Sequence, residues 1–285
     1  MREEPALAVE HLEKTFLARE KGYARKNVLH DVSFALAAGE CAGLVGVSGC
    51  GKSTTARIIA GLTSADSGIV RIGTATFDAA QAGRCAAERF QYLQMIFQLP
   101  EASFDPRRTL GWSIAEPLRV RGLAASERRA RVEELLSLVE LPQELAAHHP
   151  FEVSGGQCQR AAIARALAAE PRILLCDEVT SALDVTLQKK MVALLRRLTK
   201  ERGIACLFIT HDLPLLSGIA DRILVMDAGS IVEDAPAHQL LSAPSSPAAK
   251  QLLSVDFFQM KAHHACRARA AAQGRRRAAH EGSSW

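Results

Sequence analysis

Gly46-Val47-Ser48-Gly49-Cys50-Gly51-Lys52-Ser53 follows the spacing GxxxxGK[ST], which builds a phosphate-binding loop. Glycine at Gly46, Gly49 and Gly51 permits the backbone angles that turn N–H groups inward around phosphates. Ser48, Cys50 and Thr54 complete the cradle, and the positive end of a following helix points at the bound anion. Lys52 can reach the β- and γ-phosphates, and the Ser53 hydroxyl can ligate Mg²⁺. The flanks fit this geometry. Cys41-Ala42-Gly43-Leu44-Val45 is a short apolar run of strand length, and a helical pattern runs from Ser53 to Leu62. Taken alone, the octet does not distinguish a kinase from a GTPase or a transport ATPase.

Outward from the loop, residues 7–17 and 28–36 alternate as strands do, joined by a polar, basic connection from Ala18 to Asn27. Residues 69–77 read as a further strand, and the periodicity from about Ala102 to Ala168 is mainly helical, with Ser126 to Leu141 the clearest stretch. Ile173 to Cys176 and Ala205 to Ile209 are buried-strand runs separated by a helix over Gln188–Arg202. Apolar runs alternating with amphipathic helices predict an α/β fold with a parallel sheet and crossover helices.

The run Ile173-Leu174-Leu175-Cys176-Asp177-Glu178 ends in two carboxylates. At the carboxyl edge of a parallel sheet they face the ligand crevice. There Asp177 would hold Mg²⁺ through water, and Glu178 would orient the attacking water as general base.

The 285 residues are 48% hydrophobic and 5% aromatic, a globular composition large enough for one α/β domain with an insertion. No apolar stretch is long enough to span a bilayer, and the start of the chain lacks a signal-peptide core. A location on the cytosolic side is expected. The seven cysteines include no CxxC pair and read as reduced thiols, mostly in the core. The net charge of +4 is concentrated at one end: residues 261–285 hold six Lys/Arg against Glu281 alone. The body has no basic excess, so nucleic acid is not an expected partner.

Val153-Ser154-Gly155-Gly156-Gln157 resembles the LSGGQ signature of ABC (ATP-binding cassette) ATPases, with Val in place of Leu. Its position between the phosphate loop and the Asp-Glu pair is that of the family. Gln98 lies where the family has its Q-loop glutamine, Ser181 to Asp184 resemble its D-loop, and His211 resembles its switch histidine. The resemblance spans roughly residues 7–255. It implies a P-loop NTPase core with a mixed, mostly parallel sheet, an N-terminal antiparallel part and a helical subdomain at about 100–168. Residues 1–255 would be the ATP-binding domain, and 256–285 a basic, mobile tail.

The resemblance also implies head-to-tail dimers that sandwich two ATP molecules with Mg²⁺. Lys52, Ser53 and Glu178 of one subunit would face the Ser154, Gly155 and Gly156 backbone of the other, with Gln157 and Asp184 also among the nucleotide-binding residues. His211 would hold the γ-phosphate side, and Gln98 would sense Mg²⁺ or water and link the site to a membrane partner. Adenine would stack on Phe16, with Tyr23 as the rival.

Local features resemble the peptide/nickel importer branch: the long connection before Val28, Phe97-Gln98-Leu99-Pro100 with its following Asp105-Pro106-Arg107, and Pro150-Phe151-Glu152 before the signature. That branch usually has Asp at the position of Leu99. The short basic end is most like the second ATPase of nickel importers, with dipeptide or oligopeptide import as the alternative. The branch implies two transmembrane permease subunits, a second ATPase subunit and a separate substrate-binding protein. It implies a peripheral position on the cytoplasmic face of the inner membrane.

Overall fold

The computed structural model describes residues 4–18, 24–81, 83, 86–179 and 185–254. Tyr23, Asp184 and the tail 256–285 lie outside them. Among the described residues two sheets form. The smaller is antiparallel and contains β1 (Leu7–Ala18), β2 (Ala24–Leu36), β4 (Ser67–Ile72) and β5 (Ala75–Asp78), in the order β2-β1-β4-β5. The larger contains β3 (Cys41–Val45), β6 (Leu93–Ile96), β7 (Ile173–Asp177), β8 (Ala205–Ile209), β9 (Arg222–Asp227) and β10 (Ser230–Pro236). Its order is β10-β9-β3-β8-β7-β6, parallel throughout except for the β9–β10 hairpin.

The parallel strands are continuous apolar runs because both faces of the large sheet are covered. Alternate side chains go to opposite sides. On one side Val45, Leu174, Cys176, Cys206, Phe208, Ile223 and Val225 pack with the helices. On the other, Ala42, Leu44, Ile173, Leu175, Leu207 and Leu224 pack with the first helix and the small sheet. That first helix, α1 (Lys52–Ile59), follows β3. A short α2 (Ala86–Arg89) precedes β6. Between β6 and β7 run α3 (Leu110–Val120), α4 (Ala125–Leu138) and α5 (Gly155–Ala168). Next come α6 (Val185–Arg202) before β8, α7 (Leu213–Leu216) before β9 and α8 (Ala237–Ser242) after β10.

The observed elements depart from the sequence reading at identifiable points. The stretch 69–77 is a hairpin, because Gly73 takes a left-handed φ of 56° between β4 and β5. The basic connection gives way to strand at Ala24, since β1 and β2 stay paired out to Ala18↔Ala24. β6, β9 and β10 have no counterpart in the sequence reading. β6 is only four residues long, and β10 shows solvent on alternate residues at the sheet edge. Among the described residues Cys41, Cys50, Cys158, Cys176 and Cys206 are buried and free, as the sequence reading expects of core thiols; Cys85 and Cys266 lie outside them. Among the described residues no helix is long and apolar enough to cross a membrane.

One carboxylate ties the start of the last described segment to β10, and Ala249, Leu252 and Leu253 pack it on the core. Glu233 on β10 accepts hydrogen bonds from the backbone N–H of Ser245 (2.9 Å) and Ser246 (2.7 Å). Burial alone would push its carboxyl up, but the bonds from Ser246 and Ser245 outweigh it and hold it at about 2, against an ordinary 4.5. A depressed folded value means the contact contributes fully above pH 4.5 and is lost as pH falls toward 2. Hydrogen exchange of residues 245–254 should therefore lose protection across that window in the wild type. The Glu233→Gln variant should be less protected at pH 7 and flat across the window; superimposable profiles would contradict the assignment.

Candidate active site

β3 is fully buried and delivers the chain to the phosphate loop at the carboxyl edge of the sheet. The loop is fitted closely to its surroundings. A Cβ on Gly46 would lie 2.2 Å from the Met226 carbonyl oxygen, and one on Gly51 would lie 2.7 Å from Leu29 Cδ2. Gly51 also holds a φ of 115°, which side chains rarely adopt. From behind, the turn between β9 and β10 braces the loop: Gly229 N–H donates to the Cys50 carbonyl (3.1 Å). β2 leans over the same turn, with His30 N–H donating to the Gly229 carbonyl (2.9 Å).

Lys52, the first residue of α1, is 7% exposed, and its ammonium donates to the Gly46 (2.8 Å) and Val47 (3.0 Å) carbonyls. Ser53 Oγ donates to Asp177 Oδ1 across 3.2 Å, tying α1 to the end of β7. Asp177 is 8% exposed. Burial is the main cause that raises its carboxyl above the ordinary range; neighbouring Glu178 adds to this, and the Ser53 bond opposes it. A hydroxyl and a carboxylate this close form an all-oxygen pair of the kind a hard divalent cation takes.

Glu178 leaves β7 with a left-handed φ of 49°, and its N–H donates to the Ile209 carbonyl of β8 (2.9 Å). The register Asp177↔Ile209 brings the two strand ends level. His211, two residues beyond β8, then meets Glu178 with Nδ1 3.2 Å from Oε1. Glu178 and His211 join Ser48, Gly49, Gly51, Lys52, Ser53 and Thr54 around one open cavity of ≈ 560 Å³. Val28 of β2 completes the lining. Sequence reading missed Val28, because its place depends on how the small sheet folds over the loop, a contact between distant segments.

Other expected site residues lie elsewhere. Gly46 and Cys50 form the back of the loop. Gln98 is exposed just beyond edge strand β6 and is not in the cavity lining. Phe16 is not in the lining either; it is 41% exposed on β1, with Lys14 Nζ 5.2 Å from its ring centroid. The Ser154–Gln157 segment is not in the cavity lining; at the start of α5, Ser154 and Gly155 are exposed and Gly156 and Gln157 half-buried. There Ser154 Oγ accepts from Gln157 N–H (3.3 Å), and Gln157 Oε1 accepts from Ser154 N–H (2.9 Å). This reciprocal cap fixes the helix start. Gly155 has open space around it, so the helix end is accessible to another molecule.

The ABC transporter family profile matches residues 29–181, from β2 to beyond β7. The chain belongs to the ABC transporter family. The Bacillus subtilis oligopeptide transport ATP-binding protein OppF is 44% identical over 253 residues, 88% of this chain and 82% of that protein. The Brucella suis nickel import ATP-binding protein NikE is 47% identical over 213 residues, 74% of this chain and 79% of that protein. Among solved structures, the dimeric ATP-binding cassette MJ0796 bound to ADP and Pi superposes with a TM-score of 0.72 at 30% identity, covering 81% of this chain and 98% of that one. This ABC protein is thus an ATP-hydrolysing cassette.

The loop geometry gives a graded test. Gly51→Ala combines a disfavoured φ with a clash and should cost about 1–3 kcal/mol or more of stability. Gly49→Ala, with φ 81° but open space around it, should cost about 1–2 kcal/mol from the backbone alone. Denaturant titration of both variants checks the order; a reversed order would contradict the packing around Gly51.

Proposed function

We propose that this protein is the ATP-hydrolysing subunit of an ABC importer of the peptide/nickel type, and that its cargo is nickel. The observation that carries the hydrolytic reading is the shared cavity, where Lys52 and Ser53 stand opposite Glu178 and His211. In this reading Lys52 and the loop N–H groups bind the triphosphate, with Gly46, Gly49 and Gly51 allowing the backbone to approach it. Glu178 accepts a proton from the attacking water. His211, bonded to Glu178, orients that carboxylate and holds the γ-phosphate side. Ser53 and Asp177 fit Mg²⁺, with Gln98 as a further candidate; the cation supplies charge neutralisation at the phosphates. The base stacks on the N-terminal sheet, with Phe16 as the proposed platform.

The proposed site is composite. The exposed, capped start of α5 would offer its N–H groups to ATP bound in a second ATPase subunit, through Ser154, Gly155 and Gly156 with Gln157. The dimeric state of the MJ0796 cassette supports this arrangement. The domain reading follows: residues 1–255 form the ATP-binding domain, 100–168 its helical part facing a permease, and 256–285 a separate basic tail. Two transmembrane permease subunits and a separate substrate-binding protein complete the complex, with this subunit peripheral at the cytoplasmic face of the membrane.

Nickel is supported by the 47% identity to NikE. A second reading, oligopeptide import, is favoured by the longer reach of the OppF similarity, 253 residues. Among the described residues there is no cluster of three or more His, Cys, Asp or Glu fit for a metal ion.

Loss of a general base costs roughly 100- to 10,000-fold in rate. Glu178→Gln should therefore suppress ATP turnover on that scale while ATP binding survives. In cells lacking the gene, labelled nickel uptake should be restored by the wild type and not by Glu178→Gln. Normal nickel uptake in the deletion would reject nickel in favour of peptide, and equal turnover by wild type and variant would reject the role of Glu178.

A further inference from the structure

Among the described residues Arg89 is the largest fully buried side chain, with no exposed surface. It lies on α2, outside the cavity lining. Its Nη1 donates to the carbonyls of Ile58 (2.7 Å) and Ile59 (3.3 Å), the last two residues of α1, and its Nη2 donates to the carbonyl of Asp78 at the end of β5 (3.3 Å). The guanidinium also stacks over Phe77 at 4.9 Å. One cation therefore joins the C-terminus of the phosphate-loop helix, the small sheet and the segment that leads into β6.

A buried guanidinium is costly to desolvate, and an apolar side chain would fill the same space more cheaply. What the guanidinium adds is a planar set of donors that fixes several carbonyls at once. The carbonyls it holds are those at the negative end of α1, where a cation complements the helix dipole. The other end of that eight-residue rod carries Lys52 and Ser53. At 1.5 Å per residue the two ends are only about 12 Å apart, so a tilt at Ile59 is passed to the phosphate-binding end.

We propose that Arg89 is a positioning residue for nucleotide binding: by clamping the C-terminus of α1 to β5 and to the lead-in of β6, it sets the aim of Lys52, Ser53 and the loop N–H groups. It also makes β6, and with it the chain entering Gln98, register the same clamp. The inference rests on the ATPase reading of the cavity and adds a residue to it that touches neither phosphate nor cation.

The test is equilibrium binding of MgATP by the full chain, measured well below each variant's unfolding temperature, with the folded state verified by near-UV circular dichroism. Arg89→Met keeps the volume and removes the donors; its MgATP dissociation constant should rise on the order of tenfold or more, and Arg89→Lys should fall between it and the wild type. A folded Arg89→Met with wild-type affinity would overturn the proposal and leave Arg89 a packing residue. Hydrogen exchange on the wild type gives a second arm that needs no variant. MgATP should slow exchange at 58–62 and 86–96 as well as at 46–54, and protection confined to 46–54 would overturn the proposal. Failure of the wild type to bind MgATP at all would reject the ATPase reading itself, a result distinct from either of these.

Discussion

The structure depends on one constraint: the five parallel strands of the large sheet are covered on both faces. Main-chain polar groups are then satisfied by the neighbouring strands, and side chains alternate between two dry cores. Polar chemistry can emerge only where strands end. Phosphate loop, carboxylate pair and histidine accordingly sit at or just beyond the ends of β3, β7 and β8, three strands that lie side by side as β3-β8-β7. The cavity collects at that edge because strand order places these three exits together.

Around that edge, charge is held by short connections. Lys52 is anchored on the loop's own carbonyls, Ser53 on Asp177, and Glu178 on both the β8 backbone and His211. A buried ammonium and a buried carboxylate raised by desolvation make a site whose balance favours an incoming polyanion accompanied by a cation. The loop itself is braced by the β9–β10 turn at Cys50 and clamped through α1 by Arg89. The chemistry at the surface thus rests on contacts several elements away.

Much of this was legible in the sequence because it is local. The octet 46–53 and the acidic pair at 177–178 each depend on residues within a few positions of one another, and the Val153–Gln157 stretch was legible through its resemblance to the family signature. The parallel strands β3, β7 and β8 were legible as apolar runs for the same reason that they are buried on both faces. What was not legible is long-range. Val28 enters the cavity only because β2 folds over Gly229, and Arg89 joins α1 only because β5 and α2 meet beneath it. Ile223 to Met226 is an apolar run like β3, but its role as a brace for the loop depends on a hairpin that turns at Ala228 and Gly229. Phe16 keeps its exposed aromatic ring yet lies outside the cavity lining, which only the three-dimensional course of β1 determines.

The proposed function requires two half-sites on one chain: the phosphate cavity, and the exposed start of α5, which is not part of that cavity's lining. Gly155→Arg separates them most directly, since Gly155 has open space around it and Ser154 keeps its cap. The measurement is MgATP affinity of the isolated chain alongside ATP turnover of the assembled pair. The account predicts unchanged affinity and strongly reduced turnover; lost affinity in the isolated chain, or unaltered turnover in the pair, would contradict it.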